Sequence, residues 1–138
     1  MTGGEAMTDR EMLTTLLALV NDSATLPATA KLDYLDATGT AASLQQLGGT
    51  RLITKWIGGG GIGQLPFAVW LRTDGNDTAG RLDAASALLA LSDALEAATL
   101  TAPMLSISGE STPALVERDG TSEVWRAGYM LESERAAP

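Results

Sequence analysis

The stretch QLPFAVWLR, residues 64 to 72, alternates without a break. Leu65, Phe67, Val69 and Leu71 fall on one side, and Pro66, Ala68, Trp70 and Arg72 on the other. That period of two fits a β-strand and does not fit a helix. Arg51 to Ile57 alternates as well, with Leu52, Thr54 and Trp56 on one side. Between the two runs lies a glycine cluster, WIGGGGIG, residues 56 to 63. A phosphate-cradling loop places its glycines ahead of a helix, so that backbone N–H groups face the anion, and adds a lysine. Here Gly58 to Gly61 and Gly63 run into Gln64-Leu65-Pro66, the start of a strand, and no lysine follows to meet a phosphate. The cluster therefore reads as the turn of an antiparallel hairpin. Pro66 has no N–H to give to a ladder, which places it at a strand start or on an edge.

On either side of this hairpin the period changes. Thr8-Asp9-Arg10-Glu11 fits a capping box, and Leu13, Leu16, Leu17 and Val20 follow at helical spacing, predicting a helix over 9–20. Ala84, Leu88, Leu91, Leu95 and Ala98 form a second stripe, widened by Ala85 and Leu89. With Asp77 as its cap after the turn TDGN, this predicts a helix over 78–98. Short strands are expected at 31–35 and 43–47, and further strands at 104–108, 114–118 and 123–131. The last places Trp125, Ala127, Tyr129 and Leu131 on one face, after a hairpin turn at Asp119-Gly120. Residues 1–8 and 133–138 read as flexible ends around one domain, 9–132. The order is α, several β, α, several β, with no regular βαβ alternation. The expected fold is α+β: a single domain with a mainly antiparallel sheet packed by an N-terminal helix and a long central helix. A chain of 138 residues is long enough to close such a core.

The chemistry open to this chain is narrow. It has no histidine and no cysteine, so the usual general base, the commonest metal ligand and any disulfide are absent. Ser106, Ser108 and Ser111 have only Lys31 and Lys55 as lysine partners. Asp33 and Asp36 flank Tyr34-Leu35 without a third ligand nearby, and read as solvated surface. No catalytic residue, metal site or cofactor is expected. Lys and Arg number 9 against 17 Asp and Glu, a net charge of −8 that repels nucleic acid and anionic membranes at long range. Trp56, Trp70, Trp125 and Tyr129 therefore read as core or subunit-interface aromatics rather than base-stacking platforms. No apolar run is long enough for a membrane span, and MTGGEAMTDRE lacks the basic and apolar regions of a signal peptide. Synthesis and first folding are expected in the cytosol.

The ordered string says more than any one site. DYLD at 33–36, SLQQL at 43–47, RLITKWIGGG at 51–60, QLPFAVWLR at 64–72 and LDAASALLALSDALE at 82–96 follow one another in an order that resembles the minor capsid or tail terminator proteins of long-tailed bacteriophages. The likeness runs from the first helix to Glu132. It departs at Trp56, where a tyrosine is more usual, and in a longer glycine turn without the basic residue often found there. The resemblance implies a virion structural protein of the tail and neck, assembled in the host bacterial cytoplasm. Such proteins form a hexameric ring at the head-proximal end of the tail tube. The implied partners are further copies of the chain, the tail tube protein and the head–tail connector or head-closure protein, with DNA passing through the lumen. The subunit interface is expected on the 51–72 hairpin and the 36–50 loop, with Asp36, Leu44, Leu47, Trp56, Gly59, Gly60, Ile62, Gln64 and Trp70 as its carriers. The alternatives are another neck component, such as a head-closure or adaptor protein, and a small binding module with the glycine turn as its lid.

Overall fold

The computed structural model describes residues 9–35, 39–47, 52–55, 60–74, 77–119 and 122–135. Its elements run α1 (Asp9–Asp22), β1 (Ala30–Leu32), β2 (Ala41–Gln46), β3 (Leu52–Lys55), β4 (Gly61–Thr73), α2 (Thr78–Ala97), β5 (Met104–Gly109), β6 (Ala114–Asp119) and β7 (Ser122–Arg135). Two long strands, β4 and β7, pair antiparallel along their whole shared length, from Gly61↔Arg135 to Thr73↔Glu123. Each is flanked on its other side by two short strands laid end to end. β2 pairs with residues 67–72 of β4, and β3 with residues 61–63. β5 pairs with residues 129–133 of β7, and β6 with residues 122–126. The small β1 lies outside β2 and is parallel to it. The result is one seven-stranded sheet in an α+β fold, antiparallel apart from that one pair.

The alternation read from the sequence sets the two faces. Leu65, Phe67, Val69 and Leu71 of β4 lie beside Ala127, Tyr129 and Leu131 of β7 on the face the helices cover. α2 adds Ala84, Leu88, Leu91 and Leu95, all fully buried, and α1 adds Met12, Leu13, Leu16 and Val20. Phe67 stacks on Tyr129 with ring centroids 5.3 Å apart, and the Tyr129 hydroxyl bonds Ser92 Oγ of α2 at 2.8 Å. Burial pushes the Tyr129 phenol above its ordinary value; the Ser92 bond works against that, and the charge of Glu96 adds to it. α2 begins where the sequence places it: the Asp77 carboxylate accepts the Gly80 N–H at 2.7 Å, closing one open donor of the first turn.

Several expectations are corrected. Pro66 is neither at an edge nor at a strand start; it sits inside β4, opposite Met130. Its carbonyl accepts the Leu47 N–H at 2.8 Å, on the side where the register of β2 has ended and that of β3 has not begun. In an antiparallel strand a residue's N and C=O point the same way, so the missing donor faces that gap and costs no bond to β7. The strand expected over 31–35 stops at Leu32, because Asp33 turns the backbone to φ +54°. The last strand extends beyond Leu131 to Arg135: residues 133–135, read from the sequence as tail, pair with 61–63 of β4, and Ser133 is buried. The strands on either side of the glycine cluster, β3 and β4, pair antiparallel, with Lys55 opposite Gly61; Gly58 and Gly59 lie outside the described residues. Gly60 and Gly61 take φ of +75° and +154°, which explains glycine at those two positions. The capping residue expected at Thr8 lies outside the described residues.

Candidate functional interface

The helices cover one face of the sheet, and the other face carries the side chains that need explaining. On β4 these are Ile62, Gln64, Pro66, Ala68, Trp70 and Arg72; on β7 they include Val124, Arg126, Met130 and Glu132. A solvated antiparallel face would be polar throughout. This one interleaves a tryptophan, an isoleucine, a proline and a methionine, all half-buried, with its charges.

Trp70 is the fixed point. Its neighbours across the ladder are Ser43 of β2 and Arg126 of β7. The indole N–H donates to Gln45 Oε1 at 2.8 Å, and the Arg126 guanidinium carbon lies 5.5 Å from the ring centroid. A cation over an indole face at a partly exposed site is worth about 0.5–1 kcal/mol. The two contacts set the ring's plane and leave part of it open. Beside it the loop after β1 closes a hollow of about 220 Å³ lined by Asp33, Tyr34, Leu35, Ser43, Gln45 and Trp70. Tyr34 stands 58% exposed at its rim, with Lys31 Nζ 5.6 Å from its ring centroid.

The expected interface residues separate into groups. Ile62, Gln64 and Trp70 share this helix-free face. Leu47 is half-buried and tied to Pro66 through its N–H, and Gly60 sits at the foot of the β3–β4 hairpin. Leu44 is corrected: it has no exposed surface and packs in the core, opposite Val69, so it supports the sheet and offers nothing to a neighbouring molecule. Asp36, Trp56 and Gly59 lie outside the described residues. Sequence reasoning missed Arg126 and Gln45 as the groups that fix Trp70. The signal was weak, because which residue of β7 lies across from Trp70 depends on register.

At one end of the sheet is an ion cluster. Glu123 of β7 has no exposed surface, and Arg81 of α2 meets both its oxygens, with Nη2 2.9 Å from Oε2 and Nε 3.0 Å from Oε2 and 3.2 Å from Oε1. Arg118 of β6 adds a contact at 3.1 Å. The Arg81 hydrogen bond, then its charge, and then Arg118, hold the Glu123 carboxyl below the usual carboxylate range against the opposing effect of burial. The Arg81 guanidinium is correspondingly raised, chiefly by the Glu123 bond.

Among the described residues, Lys31 does not come together with Ser106, Ser108 or Ser111. Lys31 lies on β1 and Ser106 and Ser108 on β5, at opposite edges of the sheet, four strand spacings or roughly 19 Å apart. Ser111 is engaged with the backbone, accepting the Gly128 N–H at 2.9 Å. Among the described residues no cluster of three acidic side chains could hold a metal ion. A larger groove of about 420 Å³ between the α1–β1 linker and the first half of α2 is lined by threonines, Asp74, Asp83 and aliphatic groups, with no cationic side chain among them.

No protein-family profile matches the sequence, and no curated protein matches it. Among solved structures, a chain of the virion of a native gene transfer agent particle is similar, with 19% identity, 87% of this chain and 83% of that chain covered, and a TM-score of 0.48. Among the described residues no helix is long and apolar enough to cross a membrane.

Proposed function

We propose that this chain is a virion structural protein of a phage-like particle, a tail terminator that closes as a ring on the head-proximal end of the tail tube. It stops tube growth there and presents a surface to the head connector. One observation carries the reading. Three of the segments whose order resembles tail terminators, 33–36, 43–47 and 64–72, bring Asp33, Tyr34, Leu35, Ser43, Gln45 and Trp70 together at one hollow on the helix-free face. That is a preorganised contact surface built from three of the resembling segments. The sheet's edges support the same reading. β1 has three residues, and the ladders of β3, β5 and β6 are each interrupted by a register shift. Short, bulged edges discourage strand addition, so copies meet through faces rather than by extending the sheet. A closed ring then requires two different patches that match. The net charge of −8 suits a lumen that lets DNA slide without trapping its phosphates.

The test is light scattering of the purified protein over a concentration series, alone and with tail tubes, followed by negative-stain imaging. Rings, or caps confined to one end of each tube, are the expected result. Rings that ignore tubes but bind the connector would move the chain to another neck position. A monomer indifferent to both would overturn the virion reading in favour of a small binding module.

A further inference from the structure

The sheet face around Trp70 has a counterpart on the opposite side of the same molecule. α2 buries Ala84, Leu88, Leu91 and Leu95 against the sheet, so the stripe on its far side points directly away. That stripe carries Leu82, Ser86, Leu89 and Asp93, with Leu82 63% and Leu89 50% exposed, two leucines seven residues apart on one line of the helix. Asp83 and Asp93 add negative charge, and α2's one basic residue, Arg81, is committed to Glu123. The helix-free sheet face is the complement. Its apolar patch is Pro66, Trp70 and Met130, and Arg72 and Arg126 lie at the Trp70 end, where neither has an ion pair with a described residue. Arg72 Nε is buried without a hydrogen-bond partner.

We infer that the helix-free sheet face of one copy receives the outer stripe of α2 from the next copy, with Leu82 and Leu89 on the Pro66–Trp70–Met130 patch and Asp93 toward Arg126. Three facts point to a second copy. The two patches are apolar at their centres. Their charges are opposite at the contact, while Glu117 and Glu132 keep the rest of the sheet face acidic and so disfavour other placements of the acidic stripe. They also lie on opposite sides of one molecule, the arrangement a head-to-tail contact needs and a two-fold contact does not. The inference deepens the ring reading above by naming its two surfaces, and it rests on self-association rather than on tail tubes.

The chain's lack of cysteine makes the experiment clean. Leu89→Cys and Met130→Cys are made separately, checked for native circular dichroism, and treated with a short bismaleimide alone and as a mixture, up to the highest soluble concentration and again with tail tubes. A head-to-tail contact links the mixture into dimers, leaves each single variant unlinked, and gives a ladder when both cysteines are in one chain. Arg126→Glu should lower the mixed cross-link about tenfold, and Asp93→Arg on the other partner should restore it. Self-linking of either variant alone, or no 89–130 link under any condition, would overturn the inference. Cross-links without tube capping would leave the inference standing and remove the terminator role. Capped tubes without the 89–130 link would do the reverse.

Discussion

Glu123 is charged where no water reaches it, because two guanidiniums do. Its folded pKa lies below its unfolded one, so its stabilisation is fully present above about pH 4.3 and is lost as pH falls through the lowered folded value. Glu123→Gln should therefore lower the urea midpoint near neutral pH, and the gap from the parent should close as the pH drops below about 4. A gap that does not depend on pH would show that the carboxylate's charge is not what stabilises the cluster. Gly128 is a second single-residue constraint. A Cβ there would lie 2.9 Å from Ser111 Oγ, which itself accepts the Gly128 N–H. Gly128→Ala should cost about 1–3 kcal/mol. In a Ser111→Ala background the cost should fall, because the nearest remaining Ser111 atom, its Cβ, is 3.9 Å away. Chemical denaturation of the four proteins in that cycle checks both statements.

At the scale of elements, α2 is the clearest case of a sequence pattern surviving into the structure. Its stripe Ala84, Leu88, Leu91, Leu95 is the buried face, its cap is Asp77, and its end at Ala97 falls one residue short of the expected 98. Asp77→Ala should destabilise the protein by about 1 kcal/mol and Leu91→Ala by about 2–5 kcal/mol, both read from urea midpoints. The helix was legible because a period of 3.6 and a cap are local signals. β4 was half legible. Its alternation set which residues share a face but named no partner strand, and Pro66 argued for an edge. Its central place is tolerated because β2 and β3 meet at the proline, an arrangement only the pairing pattern reveals. The end of β7 was missed for a related reason: Glu132, Ser133, Glu134 and Arg135 are polar, and only their pairing with 61–64 makes them a strand.

At the scale of the whole molecule, the helices leave one sheet face open and α2's outer stripe exposed, and the proposed assembly uses both. A contact with an apolar centre and charged flanks should weaken in salt without vanishing. Light scattering of the assembled protein should show partial dissociation as ionic strength rises from about 0.05 to about 0.5 M, and a smaller change for Arg126→Gln. The sequence by itself determined the α+β class, the identity of both helices, the two faces of the long strands and the hairpin at the glycine cluster. All of these follow from local stereochemistry and hydrophobic period. Only the tertiary structure decided the strand order, the burial of Leu44, the parallel β1 and the meeting of Tyr34, Gln45, Trp70 and Arg126 on one face. Those depend on which distant segments pair and in which register. That choice is made by the free energy of closing the whole core, and no window of sequence contains it.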